Sequence, residues 1–192
     1  MRSDRSAPLL KATAVVAWRV DMHLSPSEIQ KVDAVPALLK LVEPLADLSE
    51  VADKLRVVLA ELYSNAVEHG LLGLASPLKS QPDGMEIYYA ERQARLAVLD
   101  SGEVDLSLEQ IADNEGDWLR IVCRDSGAGF PHGDALAAER GAVSELPFGR
   151  GLTLLRAMTA GIAYNVVGNE ATVIVKFPNG DGSTTQRPAS SQ

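Results

Sequence analysis

Hydrophobic and polar residues alternate from the start of the folded region. Ala14, Val16, Trp18, Val20, Met22 and Leu24 fall on one side, and Thr13, Arg19, Asp21 and His23 on the other. A period of two is that of a half-buried strand. Ser25-Pro26-Ser27-Glu28 then reads as a helix start, with Ser25 as cap, Pro26 at the first helical position and Glu28 closing a capping box. Ile29, Val32, Leu38, Leu39 and Val42 carry its apolar face, Pro36 is expected to kink or interrupt it, and Pro44 ends it. A second helix is predicted from Ser49, with Glu50 and Asp53 in its first turn, to Gly70. Along it Leu55, Leu59, Leu62 and Ala66 form a core stripe. Glu61, Asn65 and His69 recur every fourth residue and form a polar row on the border of that stripe.

The pattern is looser over 71–83, a connection containing Gly73, Pro77 and Pro82 that reads as a mobile loop. Residues 84–99 return to a helical period, gathering Met85, Tyr88, Tyr89, Leu96 and Leu99 on one side, with Arg92 and Arg95 toward Glu91 or solvent. Segments 103–108 and 118–125 read as strands joined through Asp113-Asn114-Glu115-Gly116. Residues 131–147 have little periodicity and the composition of a lid. A short helix over 152–160 stops at Gly161, and 162–167 and 171–177 form a hairpin around Gly168-Asn169-Glu170. Residues 1–11 read as a flexible leader and 179–192 as a disordered tail. This order predicts one α+β domain over 12–178, a two-layer α/β sandwich with a mixed, mostly antiparallel sheet.

Composition narrows the function. The chain has 192 residues, enough for one domain with its own core. Its net charge of −8 argues against a nucleic-acid surface and against adsorption to anionic membranes. One cysteine, Cys123, excludes an internal disulfide and a cysteine-rich zinc site, and three scattered histidines make a structural metal cage unexpected. No window is apolar and long enough to span a bilayer, and no signal-type apolar run follows Met1, so a cytoplasmic protein is expected.

Three stretches carry chemistry. The row Glu61, Asn65, His69 puts a carboxylate, an amide and an imidazole at the rim of a core, like the floor of a cleft. In the strand before Asp125, Leu119, Ile121 and Cys123 share one face, and the period carries Asp125 onto it. A carboxylate leaving an apolar face requires a donor, and the exocyclic amine of adenine is one. Gly127 and Gly129, followed by Phe130, let backbone approach a ligand closely. Finally, Phe148-Gly149-Arg150-Gly151-Leu152 stands directly before a helix, where free amides favour phosphate. Singly, each is a weak signal: a capped helix, a glycine-rich turn, a loop before a helix.

Together, Glu61-x3-Asn65-x3-His69, Asp125-x-Gly127-x-Gly129 and Gly149-x-Gly151-Leu152 occur in the order found in the GHKL ATPase superfamily. Within it the chain resembles the anti-sigma-factor serine/threonine kinases over roughly 12–178. That resemblance implies Mg-ATP as ligand, with Asn65 coordinating Mg²⁺, Glu61 as general base toward an acceptor hydroxyl, and Asp125 holding the adenine amine. Gly127, Gly129 and Phe130 would shape the nucleotide pocket, and Gly149, Arg150, Gly151 and Leu152 would close on the phosphates. His69 divides evenly between a nucleotide contact and a helix C-terminal dipole partner, and Arg150 between phosphate and solvent. The implied partner is a STAS-domain anti-sigma-factor antagonist in a partner-switching pathway, with a sigma factor or anti-sigma regulator and a homodimer as further associations.

The rival reading is a non-catalytic ATP-binding module that sequesters a sigma factor or regulator. A sensor-kinase or ATP-hydrolysing module is disfavoured, since His23 lies on a predicted strand and no dimerisation helix offers a phosphoacceptor histidine. The extra residues over about 71–117, beyond those of minimal anti-sigma kinases, look like the version fused to response regulators with a PP2C-type phosphatase. Cys123, Trp18 and Trp118 are expected to be packing residues, and Tyr88 and Tyr89 a satellite core.

Overall fold

A computed structural model describes residues 15–74, 83–113, 116–129 and 149–177, with backbone alone for 149 and 150. The expected leader, most of the 71–83 connection, Phe130, the lid and the tail lie outside the described residues.

The alternating segments build a five-stranded sheet in the order β1-β2-β3-β5-β4. The strands are β1 (Val15–Leu24), β2 (Val104–Asp113), β3 (Gly116–Asp125), β4 (Gly161–Tyr164) and β5 (Glu170–Phe177). All four pairings among the described residues are antiparallel, where a mixed, mostly antiparallel sheet was expected. The expected alternation of β1 breaks at its start. Val16 pairs with Ile111 but Trp18 with Gln110, so a bulge turns Val16 away from the face shared by Trp18, Val20, Met22 and Leu24. One inserted residue reverses every side chain beyond it, which alternation alone does not reveal.

The helices cover one face. Helix α1 (Pro26–Ile29) carries the anticipated capping box, the Ser25 N–H donating to Glu28 Oε2 at 2.8 Å. It ends after one turn, and α2 (Ala34–Val42) starts afresh. The interruption precedes Pro36, which sits in the first turn of α2, where its missing N–H has no intrahelical partner to lose. Val32 falls in the gap and is 38% exposed, outside the apolar face expected for it. Helix α3 (Ala52–Ser64) begins after Ser49, whose N–H is turned to Asp47 Oδ1 at 2.9 Å. Leu55, Val58, Leu59 and Leu62 pack in one core with Leu106, Leu108, Leu119, Ile121, Val173 and Val175 of the sheet. The helical run ends at Leu71, within one residue of the expected Gly70, but its last seven residues, Asn65–Leu71, are π-helical, with each amide reaching one residue further back.

Helix α4 (Gly84–Ala97) docks differently from expectation. Tyr88 is fully buried, Leu96 and Leu99 pack partly buried against the core, but Met85 and Tyr89 are exposed. The docking face is set by polar bonds: Tyr88 and Arg92 reach Glu68, and Arg95 donates to the carbonyls of Leu72 and Gly73 at 2.6 and 2.9 Å. Arg95 also pairs with Glu91. Tyr89, one residue on, is rotated about 100° away from that face. Helix α5 (Gly149–Met158) leads into β4 and buries Leu155.

The opposite sheet face is polar but partly covered. Glu109 is 2% exposed and pairs with Arg120, and Ile111 and Ile174 are buried nearby in register. At the strand ends remote from Asp125, a hollow of about 270 Å³ is lined by Leu45, Ala46, Asp47, Ser49, Glu50, Gln110 and Phe177. No helix among the described residues is long and apolar enough to cross a membrane.

Candidate functional site

Two of the three sequence stretches meet where the π segment crosses the end of β3, and the third lies against α3 at Glu61. Gly70 is the crossing point. A Cβ there would stand 2.5 Å from Cγ and Oδ1 of Asp125 and 2.8 Å from Oδ2. A Cβ on Gly127 would meet the Gly70 carbonyl oxygen at 2.3 Å. Two backbones therefore lie in contact, with the Asp125 carboxylate between them, and no side chain larger than hydrogen fits at either position.

Asp125 reaches this place as the alternation of β3 requires. It follows Leu119, Ile121 and Cys123 on the helix-covered face and is 8% exposed. Its Oδ1 accepts the Gly127 N–H at 2.8 Å. Burial raises its pKa, and the Gly127 amide offsets part of that rise. A desolvated carboxylate with one oxygen committed and lone pairs to spare is a strong acceptor for an exocyclic amine.

The polar row survives the change of helix type. Asn65 stands at the junction, its N–H reaching the carbonyls of both Glu61 and Leu62. Four residues advance about 400° in an α-helix and about 350° in a π-helix, so Glu61, Asn65 and His69 stay near one face. Glu61 faces the third stretch, because a Cβ on Gly151 in the first turn of α5 would stand 2.6 Å from Glu61 Oε2. A carboxylate thus adjoins the helix start where amides and dipole favour phosphate. His69 resolves as tethered, its Nδ1 lying 2.7 Å from the Leu74 carbonyl oxygen. That carbonyl only accepts, which places a proton on Nδ1. Leu152 is half-buried beside Gly151, while Phe130 and the Arg150 side chain lie outside what is described.

Gly129 has φ +75°, and a Cβ there would meet the Val167 carbonyl oxygen at 2.2 Å. The Asp125-x-Gly127-x-Gly129 turn is therefore seated on the β4–β5 hairpin as well as on the π segment.

One buried group was missed by the sequence pattern. Glu68 is 7% exposed, accepting from the Tyr88 hydroxyl at 2.5 Å and from Arg92 Nε at 2.9 Å. It fastens α4 to the segment that carries Asn65 and His69. The spacing Tyr88-x3-Arg92-x2-Arg95 put all three on one helical face, and that was the available signal. Cys123 is buried with its thiol pKa pushed up by burial, and Trp18 packs against the core, as expected of both. Trp18 donates to Gln110 at 2.7 Å, and half-buried Trp118 donates to Asp113 at 3.0 Å. His23 bonds Asp105 on the sheet surface at 2.7 Å.

An α/β sandwich with an inward aspartate, glycine-enabled backbone crossings and a helix carboxylate, Glu61, against a glycine-opened helix defines a nucleotide-binding domain of the GHKL type. The chain belongs to the histidine kinase-like ATPase domain family, whose model matches residues 31–176. A search of curated proteins found no match. ATP is accordingly the ligand. Among the described residues no group of three or more His, Cys, Asp or Glu forms a metal cage. A single side-chain amide at Asn65, one helical turn from Glu61, is a donor of the kind Mg²⁺ accepts, since that ion takes one or two protein oxygens and fills its remaining sites from phosphate and water.

Proposed function

We propose that this domain is an ATP-dependent protein serine/threonine kinase of the anti-sigma-factor type, acting in the cytoplasm on a STAS-domain antagonist in a partner-switching pathway. Mg²⁺ bound by Asn65 would neutralise phosphate charge. The chain's own groups do the rest: Asp125 holds the adenine amine, the amides around Gly151 receive the phosphates, and Glu61 takes the proton of the acceptor hydroxyl. The bond from the γ-phosphorus to the β,γ-bridging oxygen breaks as the bond to the acceptor oxygen forms, leaving ADP and a phosphorylated serine or threonine.

The observation that supports a kinase over a plain binder is the position of Glu61. Its carboxylate lies against Gly151, at the turn that receives phosphate and one helical turn from Asn65. A base within reach of the transferring group is what phosphoryl transfer to a hydroxyl requires. The test is transfer from Mg-ATP to a STAS-domain protein by wild type, Glu61→Gln and Glu61→Ala. Roughly 100-fold or greater loss of transfer is expected, with ATP affinity retained. If Glu61→Ala transfers phosphate as fast as wild type, the base assignment is wrong. Nucleotide-dependent capture of a sigma factor or its regulator that survives Glu61→Ala, with no transfer by wild type, would establish the sequestering module instead.

A further inference from the structure

The β4–β5 turn holds Asp125 by both of its main-chain groups. The Asp125 N–H donates to the Asn169 carbonyl at 2.9 Å, and Asn169 Nδ2 donates back to the Asp125 carbonyl at 3.0 Å, with Gly127 O at 3.4 Å. Asn169 is itself oriented by Asn165. Asn165 Nδ2 donates to Asn169 Oδ1 at 2.8 Å, while Asn165 Oδ1 accepts the N–H groups of Gly168 and Asn169 at 2.7 and 3.1 Å. Gly168, at φ +85°, supplies the backbone conformation that closes the turn. The seat of Gly129 on the Val167 carbonyl belongs to the same turn.

This exceeds what a hairpin needs. A short connection requires its own internal bonds, which Asn165 provides, but not a side-chain amide spent on a neighbouring strand. Asn169 reaches across 44 residues of sequence to the main-chain carbonyl of buried Asp125. Fixing the main chain on both sides of a Cα fixes the direction of its side chain.

We infer that Asn169, oriented by Asn165, is the positioning residue that aims Asp125 at the adenine amine and thereby sets the preference for adenine over guanine. The inference rests on the ATP reading of the site. Adenine offers an amine donor at its six-position where guanine offers a carbonyl acceptor, so a correctly aimed carboxylate accepts one base and repels the other. Asn169→Asp is the sharpest perturbation, because it keeps shape and the acceptor toward Asn165. It also replaces the donor facing two carbonyl oxygens by an acceptor that repels them.

The experiment is titration of the full chain with Mg-ATP and with Mg-GTP, in wild type, Asn169→Asp, Asn169→Ala and Asn165→Ala, each below its own melting transition. Wild type is expected to prefer ATP. In both Asn169 variants ATP affinity should fall about tenfold or more with little change for GTP, collapsing the ratio, and Asn165→Ala should show the same trend more weakly. A merely structural role predicts lowered melting temperatures at an unchanged ATP:GTP ratio, and that result overturns the inference while leaving the ATP reading intact. Wild type that binds neither nucleotide overturns both. If the Asn169 variants do not fold, Asn165→Ala decides: an unchanged ratio there refutes the relay.

Discussion

Replacing Gly70 by alanine sets two well-calibrated effects against each other. The residue lies in a helical segment without positive φ, so the backbone accepts alanine, and helix propensity alone favours the change by about 1 kcal/mol. The new Cβ would stand 2.5 Å from Asp125 Cγ and Oδ1. Carbon contacts are comfortable near 3.5 Å, so the carboxylate must retreat by about an ångström. Overpacking of this kind costs about 1–3 kcal/mol, leaving a net loss of stability of roughly 0–2 kcal/mol.

Binding should suffer more than folding. A retreat of that size breaks the 2.8 Å bond from the Gly127 amide and misaligns the carboxylate proposed as the acceptor for adenine. Loss of one hydrogen bond to a charged group, about 1.5–3 kcal/mol, corresponds to roughly 10- to 150-fold in Kd. Calorimetric titration with Mg-ATP beside a thermal melt reads both quantities. Gly73→Ala is the control: its φ of +58° strains any side chain, but a Cβ there would meet only Arg95 Nη1 at 3.8 Å. It should lower stability by about 1 kcal/mol and leave ATP affinity alone. ATP affinity of Gly70→Ala within about twofold of wild type would refute the claim that Gly70 and Asp125 share one space.

Other outcomes follow from named contacts. Burial raises the Asp125 pKa, so its ionisation opposes folding at neutral pH and protonation relieves the opposition as pH falls. Asp125→Asn, which keeps an acceptor for the Gly127 amide, should therefore raise the melting temperature of the ligand-free chain at pH 7. That advantage should shrink toward acid pH, and ATP binding should be lost. Tyr88→Phe removes one of the donors to buried Glu68 and should cost about 1–2 kcal/mol in denaturant unfolding. The Asp105 carboxylate bonded to His23 raises the imidazole pKa. Stability from that pair is present in full below the unfolded histidine pKa and disappears as pH rises through the folded one. A His23→Asn/Asp105→Asn double-mutant cycle should show coupling at acid pH that declines as pH rises through the raised imidazole pKa.

Much of this architecture was legible because it is periodic. The alternation ending at Asp125 placed that carboxylate on the covered face, and the i, i+4 spacing placed Glu61, Asn65 and His69 on one row. What escaped is non-periodic or non-local. Fourfold spacing is nearly in phase with both α and π geometry, so the change at Asn65 leaves no trace in the pattern. The bulge that turns Val16 outward adds a residue without a glycine or proline to mark it. The stop after α1 falls ahead of the proline that drew attention. Glu68 sits in the same ten residues as the polar row, yet its meaning depends on α4 crossing it 20 residues later. Asn169 reads as a turn residue until the register of β3 and β5 brings it beside Asp125.

The burial of Cys123 makes this domain convenient to instrument. Its thiol lies under the Leu62 carbonyl with a raised pKa, and it is the only cysteine in the chain, so it should be silent toward maleimides under native conditions. Val166, 95% exposed, is next to the residue whose carbonyl seats Gly129. A fluorophore on Val166→Cys would therefore label one known position next to the seat of the Asp125-x-Gly127-x-Gly129 turn, and the untouched native thiol would leave its signal unmixed.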